Sequence, residues 1–424
     1  MVRWLPFVWA SILIAATAGF SFGIAAFAAV AAGVPLGLWW PALYQVHGHL
    51  QLFGWGGLMV LGVGFFFLPR LRGAPLAVLG LLPWILGFLA GGLALRAVAQ
   101  PAMLAAPTSV PLRAALGASG LLELMGITVA VGLLVATSRA GPPLTQRQGL
   151  LPVLPYLATA LAAAWLALAS NAAATILAAI LAAIQAIAVV PSVADALTVH
   201  LGLVGFLVAV SVAVSARTFP LFLWLRVPDP MLVRLAFGPF LAGLALRSAG
   251  IVAGLPTAAS VGQLVEGLSF VAFAAVLQVV PLRRRPGQIP SRDPHYLRSV
   301  EWLLIPAYLW LVVAGLLDIL QGLAIFGVPE PIPLDAERHA LGFSRPVGPA
   351  GAGRRGLPGA ESLVDLQVSR CLWLLHPPPL QSGILHQRAS DQGPGVVQEC
   401  RRHEVALGVE EPRRQGLHRV GYLY

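Results

Sequence analysis

The sequence of 424 residues contains no lysine, and its charged residues amount to only 10%. Soluble domains carry charge on about a quarter of their positions, so a freely soluble globular protein is excluded. Cysteine is almost missing too, since Cys371 and Cys400 are the only two and both lie in the C-terminal tail. That removes a disulfide framework and a thiolate metal centre from the body of the chain. There is no GxxxxGK[ST] phosphate loop, no HExxH pair, no nucleophile elbow, no EF-hand loop and no sustained heptad. The chemistries those patterns support are therefore not indicated. All basic residues are arginine, a usage that points to a GC-rich genome. The formal charge of +10 resembles that of a nucleic-acid binder. These arginines, however, sit in short loops between apolar segments, where they set topology, and no nucleic-acid partner is expected.

Apolar residues are abundant: 58% of the chain, with a mean hydropathy of +0.82. Runs of about 20 apolar residues, enough to cross a hydrocarbon core of about 30 Å, recur through the first 325 positions. Nine spans are predicted, at 7–33, 47–68, 75–97, 113–137, 151–172, 196–219, 232–254, 257–281 and 300–325. The expected fold class is all-α, a polytopic transmembrane helical bundle with the lipid bilayer as its main partner. The first span lacks a convincing small-residue cleavage site and reads as a retained helix.

Loop charges orient the bundle. Arg3, Arg70, Arg72, Arg139, Arg147, Arg217, Arg226, Arg234, Arg283 to Arg285, Arg292 and Arg298 fall in one set of loops. The other set, around 34–46, 98–112, 173–195, 255–256 and 326–335, has no basic residue. The positive-inside rule then puts the N-terminus in the cytoplasm. Residues 173–190 are apolar enough for a tenth span, but a crossing there would invert every later loop. They are expected to be a long helix extension or a re-entrant piece.

With that orientation, histidines gather in the outer leaflet. His47 and His49 open the second span, His200 lies in the first turns of the sixth, and His339 would open a tenth. His295 falls in a cytoplasmic loop and is read as merely solvated. Arg96, Glu123, Arg247, Glu266 and Asp318 lie in the outer halves of their spans. Ionisable groups within a membrane are costly and usually face partners or a wet cavity, which makes them functional candidates. Positions two apart on a helix differ by about 200°, so His47 and His49 cannot enter one coordination shell. One of them ligates and the other supports, or they serve two sites. Histidine is a common axial ligand of haem, whereas copper wants two or three imidazoles together. Gly54, Gly56, Gly57, Gly202 and Gly205 follow the histidines and offer room for a macrocycle. Arg96 and Arg247 suit its propionates or another anion. The plainer readings stand beside these: a structural hydrogen-bonding histidine, glycines that serve close helix packing, and charges that snorkel or pair.

The run His47-Gly-His49-Leu-Gln-Leu-Phe53-Gly54, followed by a glycine-rich helix ending at Leu68-Pro69, resembles the His-x-His-x-x-x-Phe-Gly signature of the NnrS family. The segment from Asp195 through His200 to Gly205, closing at Arg217-Thr218, is similar to that family's later histidine-bearing helix. Asp335-Ala-Glu-Arg-His339 looks like the start of another. The resemblance covers roughly residues 1–341. It implies a bacterial inner-membrane protein of about twelve spans, with haem and, as a second metal, copper, acting in nitric oxide response or tolerance. His49, His200 and His339 would be ligands, and His47 a ligand or a support; no redox partner is implied by name. The second span also looks like the corresponding region of haem-copper oxidase subunit I, but the seventh span lacks the histidines such a copper centre needs. A rival reading from another class is a metal-free transporter or channel with a polar cavity in the outer half. The similar starts at Asp195 and Asp335 hint at the internal repeats common in transporters.

Residues 342–424 form a second region rich in Arg, Pro and Gly without periodicity, a composition that predicts disorder. Because it begins inside a helix-entry pattern near Leu341 to Ser344, a frameshift there is the preferred explanation.

Overall fold

The computed structural model describes residues 3–34, 39–146, 148–185, 189–218, 220, 227–277, 294–323 and 326, and of residues 294–305 the backbone alone. His339 and the tail from 342 onward lie outside the described residues. Among the described residues there are helices and turns and no strand, and nine helices are long and apolar enough to cross a membrane. The protein is an all-α, multi-pass membrane bundle. We number the helices α1 Leu5–Ala31, α2 Trp39–Arg72, α3 Leu79–Ala102, α4 Val110–Ala140, α5 Leu154–Ile184, α6 Ser192–Arg217, α7 Pro230–Ala253, α8 Pro256–Leu277 and α9 Pro294–Leu323.

Local sequence sets the ends. Prolines occupy the first turns of α1, α4 and α7, where the missing amide proton costs nothing and the fixed φ suits a helix start. Asp229 caps α7 by accepting a bond from the Met231 amide at 2.8 Å. Gly73 and Gly254 end α2 and α7 in the left-handed conformation, at φ 66° and 63°, which only glycine adopts without strain. Between these ends the side chains are apolar nearly all round, as lipid-facing helices require. Phe27, Val98 and Trp310 project outward at 73, 66 and 70% exposure, a pattern costly in water and favourable in lipid.

The expected number of spans agrees with the structure, but several bounds move. Helix α2 starts at Trp39 rather than near 47. His47 and His49 therefore lie more than two turns inside the helix and not at its mouth. Helix α5 runs on through residue 184, so much of the 173–190 segment is a helix extension. His295, read from sequence as a loop residue, lies in the first turn of α9.

Three stretches among the described residues widen from α into π geometry. Residues Ala15–Gly19, Leu50–Gly57 and Leu201–Val208 are π-helical. The second and third begin on the residue after His49 and His200, respectively. Such wide turns are uncommon and occur often at functional sites.

Neighbouring helices pack in chain order, α3 on α4, α4 on α5, α7 on α8 and α8 on α9, while the π-helical parts of α2 and α6 touch each other. This order reveals a four-helix unit that occurs twice, α1–α4 and α5–α8, with α9 standing on α8 as α5 stands on α4.

Candidate functional site

Each unit contains one buried polar cluster, built from corresponding positions. Arg96 follows His49 by 47 residues, and Arg247 follows His200 by the same 47. One turn before each arginine is a glycine. A Cβ at Gly92 would lie 2.6 Å from Glu123 Cγ, and one at Gly243 would lie 2.8 Å from Glu266 Cγ. These glycines let α3 close on α4, and α7 on α8, at the level of the carboxylates. Small residues permit such close approach between membrane helices.

In the first cluster, His49 Nε2 donates to Glu123 Oε2 at 2.6 Å, with both side chains buried. An ionised carboxylate can only accept, so with Glu123 in that form the imidazole proton is on Nε2. Asn171 of α5 donates to the same Glu123 oxygen at 3.5 Å and accepts from Arg96 Nη1. Arg96 Nε donates to Gln100 one turn further along, at 3.1 Å. Gln100 then donates to Gln45 Oε1 at 2.9 Å, and Gln45 bonds the Val190 backbone at both its carbonyl and its amide. The result is a continuous hydrogen-bonded chain across α2, α3, α4 and α5. Burying a charge costs several kcal/mol unless it is paired and hydrogen-bonded, and this chain supplies most of the partners. Arg96 Nη2 and Glu123 Oε1 remain buried without one.

The second cluster repeats the scheme with differences. Arg247 Nη1 bonds Glu266 Oε2 at 2.8 Å and lies 3.7 Å from Asp318 Oδ1 of α9. Gln263 donates to Asp318 at 2.8 Å and also to Gln321. Asp318 thus stands to Arg247 as Asn171 stands to Arg96. In both units the helix that follows in the chain, α5 or α9, completes the cluster. His200 is anchored by a hydrogen bond to the Leu244 backbone. Its Nε2 approaches Glu266 Oε1 to 3.3 Å, but out of line for a hydrogen bond, so both atoms are buried and unbonded.

His47 does not join either group. Its Nδ1 donates to the Gly19 carbonyl of α1 at 2.6 Å, and its ring lies against Gly23, where a Cβ would come within 2.8 Å of Cε1. The carbonyl belongs to the π-helical stretch of α1, in which the Phe20 amide reaches back five residues to Ala15. His47 therefore clips α2 to α1, and His49, on the far side of the helix, faces α4.

The sequence-based expectation of a glycine cradle for a macrocycle is corrected. Positions that a Cβ would fill are already filled: Ile14 Cγ2 would lie 2.6 Å from one at Gly54, Leu207 Cδ1 2.8 Å from one at Gly56, and Phe53 Cζ 2.7 Å from one at Gly202. The Ala163 methyl fills the space at Gly205, and Phe206 reaches Gly57. These glycines serve close packing between helices. Phe53, whose ring lies 4.9 Å from that of His49, occupies part of the space between α2 and α6.

Whether the remaining groups fit haem or copper follows from the donors. His200 offers two things a haem ligand needs: a ring held by a backbone bond, which orients it, and a second nitrogen without a hydrogen bond, although Glu266 Oε1 lies 3.3 Å from it. His49 has its Nε2 engaged by Glu123, which leaves Nδ1 as the lone-pair nitrogen. Arg96 Nη2 is a buried donor for a propionate. No group of three histidine, cysteine or carboxylate side chains occurs among the described residues, so these residues by themselves offer no three-ligand copper centre. Such a centre would have to draw on His339, outside the described residues.

Sequence reasoning missed the amides Gln45, Gln100, Asn171, Gln263 and Gln321. The available signal was their spacing, for Gln100 lies four residues after Arg96 and Gln263 three before Glu266. The repeated interval of 47 was a second signal. No family model, curated protein or solved structure matches the chain.

Proposed function

We propose that this chain is an NnrS-like protein of the bacterial inner membrane that binds haem and serves in the response to, or tolerance of, nitric oxide. The observation that carries the reading is the duplicated cluster, in which a buried imidazole and a buried carboxylate recur at matching positions of two four-helix units, each beside an arginine that is buried in the first and partly buried in the second. Buried ionisable groups at membrane depth are functional candidates by default. Haem, when bound, supplies an iron that takes nitric oxide or an electron. The chain's own part is to hold His200 through the Leu244 backbone, to fix the proton of His49 with Glu123, and to present Arg96 Nη2 to an anion. The cytoplasmic placement of the N-terminus rests on Arg70, Arg72, Arg139, Arg217 and Arg234, all at one end of the bundle, against Arg113 at the other.

The test is the visible spectrum of the protein purified with haem supplied during expression. A Soret band that His200→Ala abolishes, with the protein still monodisperse, is the expected result. No band in the parent protein would sink the haem reading. One observation favours a second reading, a metal-free transporter: the tandem four-helix units resemble the repeats on which many transporters are built. In that case the spectrum stays empty, and solute uptake by proteoliposomes responds to His200→Ala.

A further inference from the structure

We propose that the apolar cavity in the half of the bundle away from the histidines is a binding site for an acyl chain of an anionic phospholipid. The cavity has a volume of about 580 Å³, within the range of about 300–1,000 Å³ usual for small-molecule sites. It lies between the last turns of α2 and α6, the first turns of α5 and the middle of α9. Phe67, Leu134, Leu161, Phe206 and Leu311 form much of its wall, and Ser215, Thr218 and Tyr308 bring the hydroxyls. A wall so rich in carbon selects hydrocarbon, and in a membrane the hydrocarbon at hand is the lipid itself.

Charge selects the headgroup. The cavity reaches Leu71 and Thr218 at the ends of α2 and α6, the end of the bundle that also carries Arg70, Arg139, Arg217 and Arg234. Arg217 keeps Nε buried without a hydrogen-bond partner, and Arg70 is exposed, lying over the Phe66 ring at 3.6 Å. Asp229 and Glu301 are the acidic residues at that end among the described residues. Basic side chains at a membrane surface attract anionic headgroups.

Gly64 gives the means to test the site. It lines the cavity, and a Cβ added there meets nothing within 4 Å. A side chain at this position therefore enters the space that the acyl chain would use and forces no backbone apart.

The experiment compares melting of the full chain in detergent with added phosphatidylglycerol, phosphatidylcholine or oleate. The parent protein is expected to be stabilised most by phosphatidylglycerol. Gly64→Phe should weaken that response by about tenfold in apparent affinity, which is about 1.4 kcal/mol. Arg70→Gln with Arg217→Gln should bring phosphatidylglycerol down to the level of phosphatidylcholine. Equal protection of the parent by the two phospholipids, or an undiminished response in Gly64→Phe, overturns the proposal. Protection by oleate but not by phosphatidylglycerol assigns the cavity to a free fatty acid and overturns it as well. Should Gly64→Phe not yield folded protein, Gly64→Leu is read by the same criteria, with phospholipid retained in native mass spectra as the second measurement.

Discussion

Glu123 is fully buried and is the partner that both His49 and Asn171 share. Removing one member of a buried charged pair leaves the other stranded, which costs about 3–5 kcal/mol. Glu123→Ala is accordingly expected to lower the melting temperature sharply in detergent, and Glu123→Gln, which keeps an acceptor for His49, to lower it less. Equal losses in the two variants would remove the pairing argument. His47 invites the opposite comparison. His47→Ala leaves the Gly19 carbonyl without its donor, at a cost of about 1–3 kcal/mol. Because His47 faces α1, any Soret band the protein carries should survive the change. Loss of the band would return His47 to the ligand set. Sequence reasoning placed His47, His49, His200, Arg96 and Arg247 within apolar spans, where the structure has helices, and the 200° offset predicted that the two neighbouring histidines would part. It could not say where each would go. Imidazole orientation depends on the partners across the helix interface, and those partners are set by tertiary packing.

At the scale of the helix, glycine has two different roles in this molecule, and substitution tells them apart. A Cβ at Gly92 or Gly243 would collide with the carboxylate-bearing turn of the facing helix. Overpacking of this kind costs about 1–3 kcal/mol, so Gly92→Ala and Gly243→Ala should each reduce thermal stability. At Gly64 the same substitution meets open space and replaces the poorest ordinary helix former by the best, a gain of up to about 1 kcal/mol. Opposite shifts in melting temperature at Gly92 and Gly64 are the expected outcome. Nothing in the one-dimensional pattern separates these glycines, since all of them lie in apolar helices at similar spacings. The span count, by contrast, was legible, because length and apolarity alone decide whether a helix crosses a bilayer. Helix bounds were less so: Trp39, Tyr44 and Gln45 dilute the hydropathy at the start of α2, although the backbone is already helical there.

The described residues form a tandem of two four-helix units, each cluster being closed by a residue from the helix that follows. Because Asn171 closes the first and Asp318 the second, an amide is sufficient in that place. Asp318→Asn should retain most of the parent's thermal stability, and Asp318→Leu should not, as measured by unfolding in detergent; similar losses in both would mean that the charge itself is required. The tandem was only hinted at by the similar starts at Asp195 and Asp335, because lipid-facing positions tolerate any apolar residue and blur the likeness between units. Only the polar positions and the glycines beside them keep the register. This interlocking has a consequence for biosynthesis. While the ribosome has delivered only α1 to α4, Arg96 has no Asn171 to meet, and the unit enters the bilayer with its polar centre incomplete. Emergence of α5 finishes the first unit, and emergence of α9 finishes the second. Translation order thus sets a succession of checkpoints, at each of which a nascent chain stalled too early leaves polar groups without their partners inside the bilayer.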